Sequence, residues 1–97
     1  MPPMLTHLQT KRDEILRLVA QYGASNVRVV GSVARGDTTE NSDVDLLMTI
    51  SPKPSVFDLV ELWQHLQDLI GYPVSIIPDD TSNKFFMESI LEDAIPL

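Results

Sequence analysis

The chain has no cysteine, which removes disulfide frameworks, thiolate zinc sites, a Cys nucleophile and thiol redox chemistry together. Basic residues are scarce: 7 Lys and Arg stand against 14 Asp and Glu, for a formal net charge of −7. Proteins usually meet the phosphates of RNA or DNA with clustered Lys and Arg, so this balance opposes direct nucleic-acid binding. The same charge suits either a basic protein partner or plain solubility. Long apolar runs are missing as well, since no stretch approaches the roughly 20 residues that span a bilayer. The first residues, Met-Pro-Pro-Met-Leu-Thr-His, lack the basic region and apolar core of a secretory signal. The expectation is a cytoplasmic protein without a membrane segment. Its 97 residues, 43% of them apolar, predict one domain over 1–97, near the size where an isolated fold is marginally stable and a partner surface helps.

What is present alternates between helical and strand patterns. Leu5, Leu8, Ile15, Leu16, Leu18, Val19 and Tyr22 recur near the helical period and predict one amphipathic helix stopped by Gly23. His7, Lys11, Arg12 and Arg17 then belong to a solvated face. Residues 26–30 are β-branched and read as a buried strand, and Val33-Ala34-Arg35 as one helical turn before Gly36 and a polar connection over 37–42. Residues 43–50 form a second strand, with Val44, Leu46 and Met48 on one face and Asp43, Asp45, Leu47 and Thr49 on the other. Ser51-Pro52-Lys53-Pro54 breaks it. Ser55-x-x-Asp58 resembles a capping box, opening a helix whose apolar stripe runs from Val56 through Leu62, Trp63 and Leu66 to Ile70, before Gly71. His65 on it has no ligand partner at metal spacing and reads as structural. Residues 72–77 predict a third strand closed by Pro78. A last helix is expected over about 82–92, capped by Thr81 or Ser82, with Phe86, Met87, Ile90, Leu91 and Ala94 inward and Pro96 ending the pattern. The alternation argues a compact α/β domain.

The chemistry concentrates between Gly31 and Leu47. Alternation along a strand puts Asp43 and Asp45 on one face, their Cα atoms roughly 6.5–7 Å apart. Carboxylates held so close repel, and a hard cation such as Mg²⁺ relieves that repulsion while binding phosphate oxygens on its open side. A nucleoside triphosphate would supply such oxygens. Gly31 lets backbone approach a phosphate without a Cβ in the way, and Ser32 offers a hydroxyl and the N–H groups of a helical turn. Arg35 can pair with Asp37 or Glu40, support the loop, or reach a triphosphate.

Gly31-Ser32, ten residues, then Asp43-Val44-Asp45 resembles the G-S-x10-D-x-D pattern of the DNA polymerase beta-like nucleotidyltransferases. With Ala34-Arg35-Gly36 and Ser42 through Leu46 it is similar to their minimal nucleotidyltransferase branch. That resemblance implies a small mixed three-stranded sheet flanked by helices. It implies Ser32, Asp43 and Asp45 as catalytic residues, Gly31, Ser32 and Arg35 as nucleotide-binding residues, and Asp43 and Asp45 as Mg²⁺ ligands. It further implies an antitoxin that moves AMP from ATP onto a hydroxyl, expected to be a tyrosine, of a HEPN-domain ribonuclease toxin with which it forms a hetero-oligomer. The sequence departs from the pattern at one place. The third carboxylate usual on the strand after the long helix is matched by Ser75, which neither accepts a proton at neutral pH nor binds a cation as a charged ligand. Asp79 and Asp80 follow it, suited either to replace that acid or to favour the next helix N-terminus. The alternative is a non-catalytic antitoxin that inhibits its toxin by binding, with a degenerate nucleotide site.

Overall fold

The computed structural model describes residues 4–36, 43–50, 55–79 and 84–97. In chain order the elements are α1 (Met4–Thr10), α2 (Arg12–Gln21), β1 (Ala24–Val30), α3 (Gly31–Arg35), β2 (Val44–Ile50), α4 (Val56–Ile70), β3 (Val74–Pro78), α5 (Lys84–Asp93) and β4 (Ile95–Pro96). The sheet runs β3-β2-β1-β4. β1 pairs antiparallel with β2 and β4, and β2 pairs parallel with β3. Only a crossover can join parallel neighbours, and α4 supplies it.

One face of the sheet carries the main core. Val29, Leu46 and Met48 meet Leu8 of α1, Ile15 and Val19 of α2, and Leu62, Leu66 and Ile70 of α4. Each such side chain withdraws enough apolar surface to contribute about 1.5–3 kcal/mol. The i, i+4, i+8 spacing of the three α4 residues forms a single stripe along the helix. Ser55 starts that helix by accepting a 3.2 Å hydrogen bond from the Asp58 N–H through its side chain. Gly71 ends it in the left-handed region at φ 83°, where a Cβ is costly.

Among the described residues the sheet has four strands rather than the three expected. Pro96, expected to end the last helix, pairs with Arg28, and Ile95 with Val29, and the Leu97 N–H donates to the Val27 carbonyl at 3.0 Å. Proline is tolerated there because β4 lies at the sheet edge. The single helix expected before Gly23 is two. Thr10 Oγ1 donates to the His7 carbonyl at 2.6 Å, and the Lys11 N–H bonds the Leu8 carbonyl at 3.1 Å, so a side chain competes with the helical ladder at that turn. His7 is not on a solvated face. Half-buried, its Nε2 lies 2.8 Å from the Ile70 carbonyl and its ring meets that of Tyr72 edge-on, occupying an acceptor that a helix end leaves open. β3 begins at Val74 and includes Pro78. Leu91, expected inward, is exposed. The connections 37–42 and 51–54, the caps expected at Thr81 or Ser82, and the Phe86 side chain lie outside the described residues.

Candidate active site

Val30 delivers the chain from β1 into α3 with extended backbone, and no side chain caps the first turn of that helix. Gly31 sits at φ +74°, and a Cβ added to it would lie 2.5 Å from Asp45 Oδ2 and 3.4 Å from its Cγ. The glycine suits the left-handed backbone and leaves room for the carboxylate packed against it, which a Cβ would push aside. Gly36 closes α3 at φ 79°, so the short helix is bracketed by residues that tolerate the positive region. Ser32 is half-buried in its first turn.

Register places the other groups around Asp45. Its Cα pairs with Val30 of β1 on one side and Ser75 of β3 on the other, and side chains of paired residues share a sheet face. Asp43 is exposed and immediately precedes β2. The carboxyl of Asp45 is held above the ordinary carboxylate range, by burial first and the charge of Asp43 second, while a hydrogen bond with Ser75 and the charge of Arg35 pull it down. Arg35 Nη1 also lies 3.8 Å from Asp93 Oδ2 of α5. Asp93 went unnoticed in the sequence because no motif links it to the Gly-Ser turn; Asp37 and Glu40 lie outside the described residues.

Asp79 is engaged away from the acid pair, and the residues leading from it into α5 lie outside the described residues. Its carboxylate takes a 2.7 Å ion pair from Arg28 Nη2 and a short hydrogen bond from Thr49 Oγ1. It stands four residues beyond Ser75, about 13 Å along a strand. Asp80 lies outside the described residues. His65 is exposed and lies 3.7 Å from Glu61 on its own helix.

Among the described residues no group of three or more His, Cys, Asp or Glu could hold a metal. Two carboxylates leave room for phosphate oxygens and water, the mixed ligand set that Mg²⁺ favours. The raised proton affinity of Asp45 next to Asp43 marks a place where added positive charge is favourable, so the residues present fit such an ion. Since the folded pKa of Asp45 lies above its unfolded value, the folded state holds more protons between the two, and stability falls as pH rises through that interval. At neutral pH the ionised Asp45 carboxylate therefore costs stability. Asp45→Asn, which keeps an acceptor for Ser75, is expected to melt above wild type at neutral pH in chelator and to lose that advantage below the ordinary carboxylate range. Equal or lower melting at neutral pH would contradict this electrostatic account.

The sequence profile of the nucleotidyltransferase domain matches residues 12–97. A candidate protein adenylyltransferase of Methanocaldococcus jannaschii, MJ0128, is 34% identical over 86 residues, covering 88% of this chain and 86% of that protein. A solved candidate minimal nucleotidyltransferase superposes with TM-score 0.83 at 38% identity, over 99% of this chain and 97% of that one. A toxin-antitoxin crystal structure with AMP-PNP shares the fold, at TM-score 0.72 and 16% identity, over 87% of this chain and 69% of that one. Among the described residues no helix is long and apolar enough to cross a membrane.

Proposed function

Because the chain belongs to the nucleotidyltransferase domain family, we propose that it moves AMP from ATP onto a hydroxyl of a partner protein. The partner in this reading is a cognate HEPN ribonuclease toxin, the acceptor one of its tyrosines, and the result an antitoxin's silencing of that toxin. The observation that carries it is the packing of the Asp45 carboxylate against Gly31, which sets the acid pair beside the turn that would receive a triphosphate. The fold shared with the toxin-antitoxin complex supports the partner, and the adenylyltransferase name of the M. jannaschii relative supports the group transferred.

In this reading Gly31 admits the triphosphate, Ser32 and Arg35 bind its oxygens, and Asp43 and Asp45 hold the divalent ion. Bound Mg²⁺ would supply charge neutralisation and alignment of the α-phosphate. The acceptor oxygen forms a bond to the α-phosphorus as the bond to the bridging oxygen breaks and pyrophosphate leaves. The hydroxyl proton goes to water or to a base on the partner, because Ser75 cannot take it at neutral pH. Label carried on the α-phosphate of ATP should appear on the partner, and label on the γ-phosphate should not. Label from the γ-position alone would replace nucleotidyl transfer with phosphorylation.

Gly31→Ala tests the packing. The new methyl strains the backbone by roughly 1–2 kcal/mol and must displace the carboxylate it would meet. A misplacement of about 1 Å near the chemistry can cost on the order of 10²-fold in rate. We expect a lower melting temperature and a transfer rate reduced by about that factor, read by thermal denaturation and single-turnover transfer. Near-wild-type transfer would separate Gly31 from the site.

A second reading has its own observation. With Ser75 beside Asp45 and Asp79 committed to Arg28, the described residues hold two acids where the family pattern has three, as suits an antitoxin that inhibits by binding alone.

A further inference from the structure

The outer edge of β3 is only partly used. The Val44 N–H donates to the Pro73 carbonyl at 2.8 Å and the Asp79 N–H to the Met48 carbonyl at 3.0 Å, and the backbone groups of successive strand residues point to opposite sides. Residues 73, 75, 77 and 79 therefore face β2, while Val74, Ile76 and Pro78 face outward at the end of the sheet. Val74 is already served. Its N–H donates to Gln67 Oε1 at 3.2 Å and its carbonyl accepts from Trp63 Nε1 at 2.6 Å. Pro78 has no N–H to offer. Of the three, Ile76 alone presents both a donor and an acceptor, beside a groove of about 240 Å³ that it lines with Leu59, Val60 and Trp63.

We propose that a second copy of the chain occupies this edge, the two β3 strands pairing antiparallel about a two-fold axis at Ile76. The pairing stands independently of the transferase reading.

Donors and acceptors select this occupant. In antiparallel pairing centred there, the two Ile76 residues exchange N–H···O bonds, and Val74 of each copy lies opposite Pro78 of the other. A foreign strand with an ordinary residue at that place brings an N–H toward the Val74 carbonyl, which Trp63 already covers, and burying that donor without a partner costs affinity. Pro78 of a second copy brings none. A helix or a lipid surface would instead cover the Ile76 groups without bonding them. Charge agrees with this choice. The row Val56, Val60, Trp63 and Gln67 runs along one side of α4, touches the β3 edge through its last two members and carries no charge. Asp58 and Glu61 act instead on Tyr22 of α2, and Asp68 stands about 100° round the helix from Gln67. Two copies thus bring apolar side chains together there, Val56 at 75% and Val60 at 45% exposure.

The test uses the whole chain alone, without nucleotide or partner, in sedimentation velocity over a concentration series and in amide hydrogen exchange followed by NMR. A monomer–dimer equilibrium that stops at the dimer is expected, because an isologous contact closes on itself. Between mostly monomeric and mostly dimeric samples the Ile76 amide should slow at least about tenfold, while the already bonded Val74 amide changes little. Association should tighten as ionic strength rises from about 0.01 to 0.15 M, since salt screens two chains of charge −7. Val60→Glu, at an exposed helical position, sets like charges into the contact and should weaken it at least about tenfold with circular dichroism unchanged. Pro78→Ala is the sharper variant. It restores an N–H opposite the covered Val74 carbonyl and should weaken the dimer about tenfold, whereas an edge open to any strand would pair more readily without its proline. A monomer at every concentration, assembly continuing past the dimer, a dimer that leaves the Ile76 amide unprotected, or a Pro78→Ala dimer as tight as wild type would overturn the proposal.

Discussion

Replacing Asp43 and Asp45 together by asparagine is expected to lower AMP transfer by on the order of 10³-fold or more, since an ion at such a site contributes several kcal/mol of transition-state stabilisation. Asparagine is close to aspartate in size, so the β2 surface is retained while the charge that attracts the ion is lost. The measurement is single-turnover transfer beside nucleotide affinity by titration. The same variant divides the two functional readings. If silencing is covalent, the partner regains ribonuclease activity in the presence of the double variant; if the protein inhibits by occupancy, silencing survives. Protection that survives with wild-type strength would move the account to the binding reading.

The second large effect runs the other way. Ser75 pairs in register with Asp45 and hydrogen-bonds to it, so Ser75→Asp would set a third carboxylate beside the acid pair. A positioned base contributes typically ~10²–10⁴-fold, and at saturating ATP the transfer rate is expected to rise within that range while nucleotide affinity changes little. The cost is electrostatic. Asp45 already resists ionisation through burial and its neighbour Asp43, and a third charge adds to that repulsion. The variant should therefore melt lower than wild type in chelator and recover with Mg²⁺. A folded, nucleotide-binding Ser75→Asp with an unchanged or slower rate would mean that proton removal is not limiting, or that the base belongs to the partner.

The features legible in the sequence were those written into a few adjacent residues. Gly23 and Gly71 announce helix ends, and both take left-handed backbone, open to them for lack of a Cβ. Ser55 announces the start of α4, whereas Asp43, expected inside the second strand with Asp45, immediately precedes β2. The place of Ser75 was implied by the family resemblance and not by the residues themselves, and its register beside Asp45 belongs to the assembled sheet. The contacts that escaped join residues far apart in the chain. His7 reaches Ile70 and Arg28 reaches Asp79, across 63 and 51 positions, and nothing in the local pattern of either residue names its partner. β4 was hidden for another reason. Pro96 signals the end of a helix, and its place on a sheet edge depends on the free side of β1, which is a property of the assembled sheet. Similarly the break at Lys11 depends on one hydroxyl competing for a carbonyl, a contest that apolar periodicity does not register.

The most direct measurement weighs the partner. The protein, ATP and Mg²⁺ are incubated with a cognate toxin, and the intact mass of the toxin is followed by mass spectrometry, with peptide mapping to find the modified residue. The account predicts a gain of one or more AMP units on a tyrosine, release of pyrophosphate in equal amount, and loss of both with the Asp43→Asn, Asp45→Asn variant. A toxin that is silenced with its mass unchanged, while the protein demonstrably binds ATP, would contradict the transferase account.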